Sequence, residues 1–328
     1  MHYLVTGGAG YIGSHVVLQL QRTGHTVTIL DDFSSGHRWA VDEHECLEVD
    51  LREADRLKAV LRGRRFDGVF HFAAKSLVGE SARRPLFYYQ NNIAGTANLL
   101  EVALENGWHH CVFSSTAAVY GQPQTPLMTE DHPLAPINVY GQTKRVMEQM
   151  LASVCGSGDL SAVCLRYFNA AGAAPEQNRG EWHEPETHLI PNILRRAAGE
   201  DRPLKIFGVD YDTPDGTCIR DYIHVLDLAD AHIKAMEYLQ AGKGFLALNL
   251  GSSTGFSVRE VLGTCEARVG HDIPHEVGER RAGDPERLVA DASLAKEILG
   301  WSPQRDLQAI VDSAWQWECY RRERLLAG

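Results

Sequence analysis

The sequence of 328 residues has no apolar run close to the roughly 18 residues that a membrane-spanning helix requires. The N-terminus enters a predicted strand at once, so we expect no signal peptide. Internal repeats and low-complexity tracts are absent as well. These absences argue against a membrane protein, a secreted protein and a repeat protein, and they predict a cytoplasmic location.

Cysteine pairs are missing too, because the seven cysteines are scattered and show no C-x-x-C spacing. An odd, unpaired set is typical of a reducing compartment and gives no disulfide framework. The sequence also has no H-E-x-x-H motif, and Pro274 interrupts the spacing between His271 and His275. We therefore predict no metal site.

Positive charge is in short supply, since 32 Lys and Arg residues face 43 Asp and Glu residues and the net charge is −11. Nucleic acid is a poor partner for such a chain. An anionic small molecule would need basic groups concentrated at its site. The length, with 44% hydrophobic residues, predicts one large and one smaller domain.

A glycine cluster near the N-terminus is the first feature that points to a function. Gly8, Gly10 and Gly13 satisfy G-x-G-x-x-G, and Gly7, Gly10 and Gly13 satisfy the related G-x-x-G-x-x-G. An apolar run precedes the cluster and an apolar-periodic segment follows it, which predicts strand, tight turn and helix. Such a turn offers bare backbone N–H groups at a helix N-terminus, where a pyrophosphate can bind.

The next predicted strand, Thr26–Leu30, ends at Asp31. A carboxylate there accepts hydrogen bonds from the adenosine ribose and repels a 2′-phosphate, so NAD is favoured over NADP. The turn-like segment that follows would lie beside the adenosine end of the dinucleotide. Its candidate contacts are Asp32, Ser34, Ser35 and Gly36.

Strands and helices alternate along the chain, which predicts an α/β fold with a doubly wound, Rossmann-type parallel sheet. Further strands are predicted at 45–49, 69–74, 111–115, 162–168, 204–207 and 246–250, and helices at 52–62, 85–107, 138–151, 188–198 and 227–239. The composition shifts after residue 173. We therefore expect an NAD-binding domain over residues 1–170 and a smaller α/β substrate domain over 171–328, with segments such as 218–250 returning to the first domain.

Tyr140 and Lys144 form a Y-x-x-x-K pair on a predicted helix, where residues four apart share one face. We expect the ammonium to lower the pKa of Tyr140 and make it a general base for a hydroxyl proton. Lys144 can also donate to a ribose hydroxyl. A solvated helix face is the alternative interpretation. It is weakened by the hydroxyl of Thr116, which ends the preceding predicted strand.

Four further segments carry a family resemblance, namely Val5–His15, Val78–Ser81, Leu165–Asn169 and Arg220–Val225. Over essentially its whole length the chain resembles the extended short-chain dehydrogenase/reductase family, and within it the UDP-sugar 4-epimerases. The resemblance implies interconversion of UDP-glucose and UDP-galactose through transient oxidation at C4 by a tightly bound NAD. The 4-keto sugar would rotate before the hydride returns. It also implies a homodimer built on the helices that begin near Pro85 and Asn138.

The candidate NAD contacts come from two sources. The resemblance implies contacts from Tyr11, Ile12, Asp31, Asp50, Leu51, Phe72, Asn91 and Phe168. The glycine loop, the adenosine turn, the strand ends and the Y-x-x-x-K pair add Gly7, Gly10, Gly13, Asp32, Ser34, Ser35, Gly36, Ala73, Ala74, Ser114, Tyr140 and Lys144. Small side chains at the end of strand 69–74 would let a cofactor approach the backbone.

The UDP-sugar contacts are likewise implied by the resemblance. They are Thr116, Tyr140, Asn169, His188, Leu189, Lys205, Phe207, Arg220, Arg281, Asp284 and Leu288. Arg220 and Arg281 are the basic groups that an acidic chain needs to hold a diphosphate. Phe207 is a candidate to pack on uracil.

The chain departs from the family pattern at three places. Thr116 stands where the family often has serine, and it keeps the hydroxyl. Lys75 is displaced by one position from the lysine of one branch, which leaves its contact with the cofactor open. Leu288 stands where that branch carries a bulky tyrosine. We therefore expect room for N-acetylated UDP-hexosamines.

Three alternatives remain for the function. Another 4-epimerase, acting on UDP-pentose or UDP-glucuronate, stays open. A 4,6-dehydratase on the same scaffold needs an acid and a base directly after Thr116, where this chain has Ala117 and Ala118. A non-catalytic NAD-binding sensor would have no need of Thr116, Tyr140 and Lys144 together.

Overall fold

The chain begins with strand β1 (His2–Thr6), the glycine turn, helix α1 (Tyr11–Arg22) and strand β2 (Thr26–Asp31), as the sequence predicts. The structure is a computed structural model and describes residues 1–41, 43–242, 244–281 and 283–327. This first β-α-β unit repeats through the N-terminal half of the molecule, so parallel strands alternate with helices that cover the sheet.

The other strands of the described residues are β3 (Glu45–Glu48), β4 (Gly68–His71), β5 (His110–Thr116), β6 (Ser161–Tyr167), β7 (Asn169–Ala171), β8 (Lys205–Phe207), β9 (Ile219–Arg220), β10 (Tyr222–His224), β11 (Phe245–Leu250), β12 (Phe256–Ser257), β13 (Glu276–Gly278) and β14 (Arg287–Leu288). The other helices are α2 (Ala54–Leu61), α3 (Val78–Arg83), α4 (Pro85–Tyr88), α5 (Gly95–Glu105), α6 (Val139–Gly156), α7 (Leu189–Ala197), α8 (Val225–Ala241), α9 (Val258–Val269), α10 (Ser293–Leu299) and α11 (Leu307–Ala327). None of these helices is long and apolar enough to cross a membrane.

Seven parallel strands form the main sheet in the order β11-β6-β5-β4-β1-β2-β3. The predicted doubly wound fold is confirmed. The strand order reverses direction between β1 and β4, which are neighbours in space although β2 and β3 separate them in sequence. Ligands of such sheets bind at this reversal, outside the carboxyl ends of the strands.

The late segment 222–250 contributes to the main sheet. β11 pairs with β6 from Phe245 opposite Ala162 to Leu250 opposite Tyr167. α8 packs against α1, and its buried Leu228 and Met236 share one core with β1 and β2. The chain therefore returns to the first sheet after it has entered the C-terminal part.

A second hydrophobic core lies between α7, α9 and α11 and includes Ile193, Leu194, Val261 and Val311. Three short strands pair beside it in the order β12-β9-β14, and β8 pairs with β13. Apart from β8, these strands were not predicted. Several have only two residues, too few for a period-two pattern to be recognised.

The helix predicted over 85–107 is one helical path with an irregular middle. α4 and α5 are joined by a π-helical segment, Tyr89–Ala94, which contains Asn91. A π-helical turn takes up one extra residue, and π segments are frequent at functional sites. Apolar periodicity over twenty residues does not reveal such an insertion.

Candidate active site

The glycine turn between β1 and α1 holds the backbone close to the end of β4. Gly7 has a φ of +71°, and a Cβ atom there would lie 2.6 Å from the backbone nitrogen of Ala73. The Ala9 N–H donates to Asp31 Oδ2 at 2.9 Å, and the Phe33 N–H donates to Asp31 Oδ1 at 2.9 Å. Asp31 therefore fixes both the glycine turn and the start of the following loop, and burial raises the pKa of its carboxyl.

A groove of about 590 Å³, measured to the open solvent, runs from this turn over the ends of β2, β3 and β4. Most of the predicted NAD contacts line it: Gly7, Gly10, Asp31, Asp32, Ser34, Ser35, Gly36, Asp50, Leu51, Phe72, Ala73, Ala74 and Asn91. The bare backbone at Gly7, the N-terminus of α1 and a carboxylate at the end of β2 fit a dinucleotide.

Lys75 also lines the groove, and its role was left open by the sequence. Its Nζ atom donates to Ser34 Oγ at 2.6 Å, and its backbone N–H donates to Asn92 Oδ1 at 2.8 Å. The side chain therefore crosses from the end of β4 to the loop after β2. Its ammonium lies beside Ser34 and Ser35, in the segment predicted to contact the adenosine.

Other predicted NAD contacts lie around the same edge. The Tyr11 hydroxyl donates to the carbonyl of Gly172 at 2.7 Å, and Ile12 packs against the main core. Gly13 packs against the Gly7 carbonyl. Ser114, near the end of β5, has its hydroxyl hydrogen-bonded to the Tyr167 hydroxyl. The role of these residues in binding NAD stays a prediction.

Helix α6 brings Tyr140 to the end of β5. Its N-cap is Asn138, whose Oδ1 accepts the Gly141 N–H at 2.8 Å. A Cβ atom on Gly141 would collide with the Ala118 carbonyl, so glycine lets the first turn of α6 pack on the 3-10 turn Ala117–Val119. Tyr140 consequently hydrogen-bonds Thr116, which caps that turn.

Lys144 lies one turn further along α6 and is 3% exposed. Its Nζ atom donates to the Ser114 carbonyl at 2.7 Å and lies 4.7 Å from the centre of the Phe113 ring. Burial lowers the pKa of Lys144 to about 7, although Glu148 acts in the opposite direction. The lysine is therefore poised to change charge near neutral pH.

The predicted effect of Lys144 on Tyr140 is wrong in direction. Burial raises the pKa of Tyr140 to about 12, and only the hydrogen bond with Thr116 acts to lower it. The reason is that the Lys144 amine is engaged by the Ser114 carbonyl and is itself desolvated. At neutral pH, a lysine with a pKa near 7 is protonated in only about half of the molecules.

A buried ion pair, which the sequence analysis missed, supports this helix face. Glu148 accepts from the Arg166 guanidinium at 2.7 Å and from the Ser115 hydroxyl. Arg166 Nη1 in turn donates to the Tyr120 hydroxyl at 3.0 Å. Glu148 follows Lys144 by four residues, so the helical spacing puts both on one face of α6, but no local pattern pairs Glu148 with Arg166 on β6.

Pairing of β9 with β14 brings several predicted substrate residues together. Leu288 lies opposite Arg220 in the register of these strands. Arg220 Nη2 lies 2.8 Å from Asp284 Oδ1. Leu288 also packs against the cluster of Val119, Tyr120 and Met128, as Phe168 does, next to the Thr116 turn. The C-terminal part of the chain thus reaches the edge of the main sheet where Thr116 and Tyr140 lie.

Phe207 and Arg281 meet as well, since the Arg281 guanidinium lies 3.9 Å from the centre of the Phe207 ring. Lys205, at the start of β8, is exposed, and its Nζ atom lies 3.5 Å from Glu276 Oε2. Asn169 donates from Nδ2 to the Asp221 carbonyl at 2.8 Å. One ring face of Phe207 is therefore covered by the guanidinium.

His188 and Leu189 stand at the N-terminus of α7, with His188 as the N-cap residue. The His188 ring is ion-paired with Glu181, whose carboxylate raises the pKa of the imidazole. His188 is thus turned toward the segment 181–186. The substrate contacts of His188 and Leu189 stay predictions.

The comparisons with known proteins agree with this geometry. The sequence profile of the NAD dependent epimerase/dehydratase family matches residues 3–251. A UDP-glucose 4-epimerase of Rhizobium leguminosarum bv. trifolii is 50% identical over 314 residues, which cover 96% of each chain.

Two solved structures are similar as well. A UDP-glucose 4-epimerase from Brucella ovis in complex with NAD has a TM-score of 0.93 and 43% identity, covering 96% of this chain and 97% of that one. The UDP-Glc/GlcNAc 4-epimerase of Campylobacter jejuni has a TM-score of 0.86 and 42% identity, covering 97% and 99%. The chain therefore belongs to the NAD dependent epimerase/dehydratase family, and the resemblance inferred from its motifs is confirmed.

Proposed function

We propose that this chain interconverts UDP-glucose and UDP-galactose by transient oxidation and reduction at C4, with NAD as resident cofactor. The observation that carries the proposal is the meeting of Thr116, Tyr140 and Lys144 at the carboxyl end of β5. The neighbouring groove has the residues for a dinucleotide. A relative that is 50% identical over 96% of the chain carries this activity in its name.

Each of the three residues has a distinct task. Tyr140 takes the proton of the 4-hydroxyl, and Thr116 hydrogen-bonds the same oxygen. Bound NAD supplies a hydride acceptor at C4 and a positive ring that favours the phenolate. Lys144, held by the Ser114 carbonyl, orients the helix face that presents Tyr140 and changes charge near neutral pH. Arg220 and Arg281 are the proposed partners of the diphosphate, since a guanidinium can bind phosphate oxygens through two parallel hydrogen bonds.

The first experiment incubates the purified protein with UDP-galactose without added cofactor and reads out the product stereochemistry. We expect UDP-glucose to form without added cofactor, because the hydride removed from C4 is returned to C4 in each turnover. Tyr140→Phe should lower kcat by about 10²–10⁴-fold, the usual contribution of a general acid–base group. It should keep its bound NAD. Tyr238→Phe, at a partly exposed tyrosine on α8, is the matched control and should leave kcat unchanged.

The same experiment separates the alternatives. A UDP-pentose or UDP-glucuronate substrate would show in a panel of UDP-sugars as faster turnover than UDP-galactose. A 4-keto-6-deoxy product would identify a dehydratase. Full activity of Tyr140→Phe would contradict the mechanism.

We propose further that N-acetylated UDP-hexosamines are substrates. Leu288 is half-buried and packs against the cluster of Val119, Tyr120 and Met128, and a leucine occupies less volume there than a tyrosine would. Leu288→Tyr should therefore reduce turnover of UDP-N-acetylglucosamine by about tenfold or more while sparing UDP-glucose, since pocket changes of this size are worth about 1–3 kcal/mol. Equal losses on both sugars, or an inert UDP-N-acetylglucosamine in the unchanged protein, would refute this idea.

We also propose a homodimer built on α4, α5 and α6. Leu86, Tyr89 and Leu104 on this helical path are large apolar side chains that are 74%, 37% and 40% exposed. Contact with a second chain would remove this apolar surface from water, which favours association. Light scattering should give the mass of two chains, and a stable mass of one chain would contradict the interface.

The cytoplasm is the proposed location. All seven cysteines are free, and four of them are buried (Cys111, Cys164, Cys218 and Cys265). Thiols stay reduced in that compartment. Fractionation of cells that express the protein should recover it with cytoplasmic markers.

A further inference from the structure

Four metal-ligating side chains converge in the segment that leads into α7. They are Glu181, His183, Glu186 and His188, called here the Glu/His cluster. One ligand atom from each residue lies within 4.8 Å of all the others. The function proposed above does not use this convergence.

Three separations within the Glu/His cluster are close to those of a tetrahedral site, whereas His188 Nδ1 and Glu181 Oε1 lie closer together, as a hydrogen-bonded pair. His183 Nδ1 lies 3.1 Å from Glu181 Oε1 and 3.8 Å from Glu186 Oε2, and His188 Nδ1 lies 3.5 Å from Glu186 Oε1. Ligands about 2.0–2.1 Å from a Zn²⁺ ion stand roughly 3.3–3.4 Å apart in a tetrahedron. To share one ion, His188 and Glu181 would move apart by side-chain rotation, and Glu186 would offer one of its two oxygens.

Hydrogen bonds satisfy these atoms only in part. Among the described residues, His183 Nδ1 and Glu186 Oε2 are buried and have no hydrogen-bond partner. Their nearest partners are charged groups, since Glu181 Oε1 lies 3.1 Å from His183 Nδ1 and Arg195 Nη2 lies 3.6 Å from Glu186 Oε2. The side chain of Glu186 is 0% exposed. Both histidines direct Nδ1 at the same oxygen of Glu181. A buried polar atom without a partner carries an energetic cost, and a divalent cation at the centre would satisfy all four side chains at once.

We propose that the Glu/His cluster is a structural Zn²⁺ site formed by Glu181, His183, Glu186 and His188. Two imidazole nitrogens and two carboxylate oxygens are a ligand set that Zn²⁺ accepts. The four ligands would close the coordination sphere, as in structural zinc sites, and leave no open position on the ion.

The surroundings hold the ligands in place. Glu186 Oε1 accepts the backbone N–H groups of Thr187 and His188 at 2.8 and 3.0 Å. The Trp317 indole N–H donates to the Glu181 carbonyl at 2.8 Å. Outer partners of this kind orient metal ligands. The side chain of His188 is 50% exposed, so an ion can reach the site from solvent.

The ion would connect the N-terminus of α7 to the glycine motif at the start of α1. His188 is the N-cap of α7, and the His183 ring lies 6.3 Å from the ring of Tyr11 in the glycine motif, edge to face. The Tyr11 hydroxyl also donates a hydrogen bond to the Gly172 carbonyl. Zn²⁺ would thus fix the segment 181–188 against the start of α1.

The test begins with the unchanged full-length protein carrying its NAD. After treatment with a chelator and its removal, Zn²⁺ is added back and counted by elemental analysis, and Co²⁺ is added in a parallel sample. We expect one Zn²⁺ per chain and the visible absorption of tetrahedral Co²⁺. Octahedral Co²⁺ spectra, or no bound metal beyond trace, would overturn the proposal without any variant.

Variants then assign the ligands. His183→Gln combined with Glu186→Gln should weaken Zn²⁺ binding by more than about 100-fold, since loss of even an outer partner typically costs 10–100-fold. The matched control is His271→Gln with Glu279→Gln, an exposed His and Glu on the surface, which should bind Zn²⁺ like the unchanged protein. Equal Zn²⁺ affinity in both double variants would refute the assignment. Metal uptake is measured without turnover, so its outcome is independent of the proposed activity.

Discussion

At the scale of single residues, burial decides the chemistry of the Y-x-x-x-K pair. The spacing of Tyr140 and Lys144 suggests an ammonium beside a phenol, yet the Lys144 amine is directed at the Ser114 carbonyl. Desolvation lowers the pKa of Lys144 to about 7 and raises the pKa of Tyr140 to about 12. Residue types and spacing therefore predict candidate reacting groups, but not their protonation.

The shifted lysine predicts a dependence of stability on pH. In the unfolded chain Lys144 holds its proton up to a pH of about 10.4, whereas in the folded chain it loses the proton near pH 7. Between these values the unfolded state binds more protons, so the free energy of unfolding rises with pH, by up to about 1.4 kcal/mol per unit from this group. Urea unfolding from pH 7 to 10 should show this rise relative to Lys144→Met.

Lys296→Met is the matched control, because Lys296 is exposed on α10. Its unfolding free energy should follow the unchanged protein in parallel over the whole pH range. Parallel curves for Lys144→Met as well would mean that the buried lysine keeps its ordinary pKa.

At the scale of elements, one asparagine joins three segments around the cofactor groove. Asn92 lies in the π-helical segment and is fully buried. Its Nδ2 atom donates to the Lys75 carbonyl at 3.0 Å and to Thr143 Oγ1 at 2.9 Å, while its Oδ1 accepts the Lys75 N–H. The loop after β4 and the first turns of α6 are thus held by the same amide.

Asn92→Ala should destabilise the protein by about 2–4 kcal/mol, because it leaves buried donors and acceptors unpaired. The denaturant midpoint should fall, and retention of NAD should weaken since the Lys75 loop loosens. Asn98→Ala is the control: Asn98 lies on α5 and makes one hydrogen bond, to the Leu51 carbonyl. If Asn92→Ala lowered the free energy of unfolding no more than Asn98→Ala does, the Asn92 amide would not hold these segments together.

At the scale of the whole molecule, the predicted site draws on the elements of two separate hydrophobic cores. The first holds the seven-stranded sheet, and the second lies between α7, α9 and α11. Arg220 and Arg281 belong to the second part, whereas Thr116 and Tyr140 belong to the first. A nucleotide held by the arginines would therefore stabilise the molecule as a unit.

UDP at about 100 times its Kd should raise the free energy of unfolding by about 2.7 kcal/mol, which corresponds to a Tm increase of several degrees. At the same UDP concentration Arg281→Gln should lose most of this shift. Arg280→Gln is the neighbouring control, because the Arg280 guanidinium is ion-paired with Asp210 and lies over the Tyr211 ring. It is therefore not expected to bind UDP. Equal Tm shifts in the two variants would show that Arg281 does not meet the diphosphate.

The sequence by itself determined the glycine turn, the alternation of strands and helices, Asp31, and the pair on α6, because each is a local pattern of propensity and spacing. Tertiary structure decided the rest. The place of β11 beside β6, the π-helical segment, the partner of Lys144 and the convergence of Glu181 with His188 depend on packing between distant elements. Burial and long-range contact set protonation and ligand geometry, and no window of a few residues contains them.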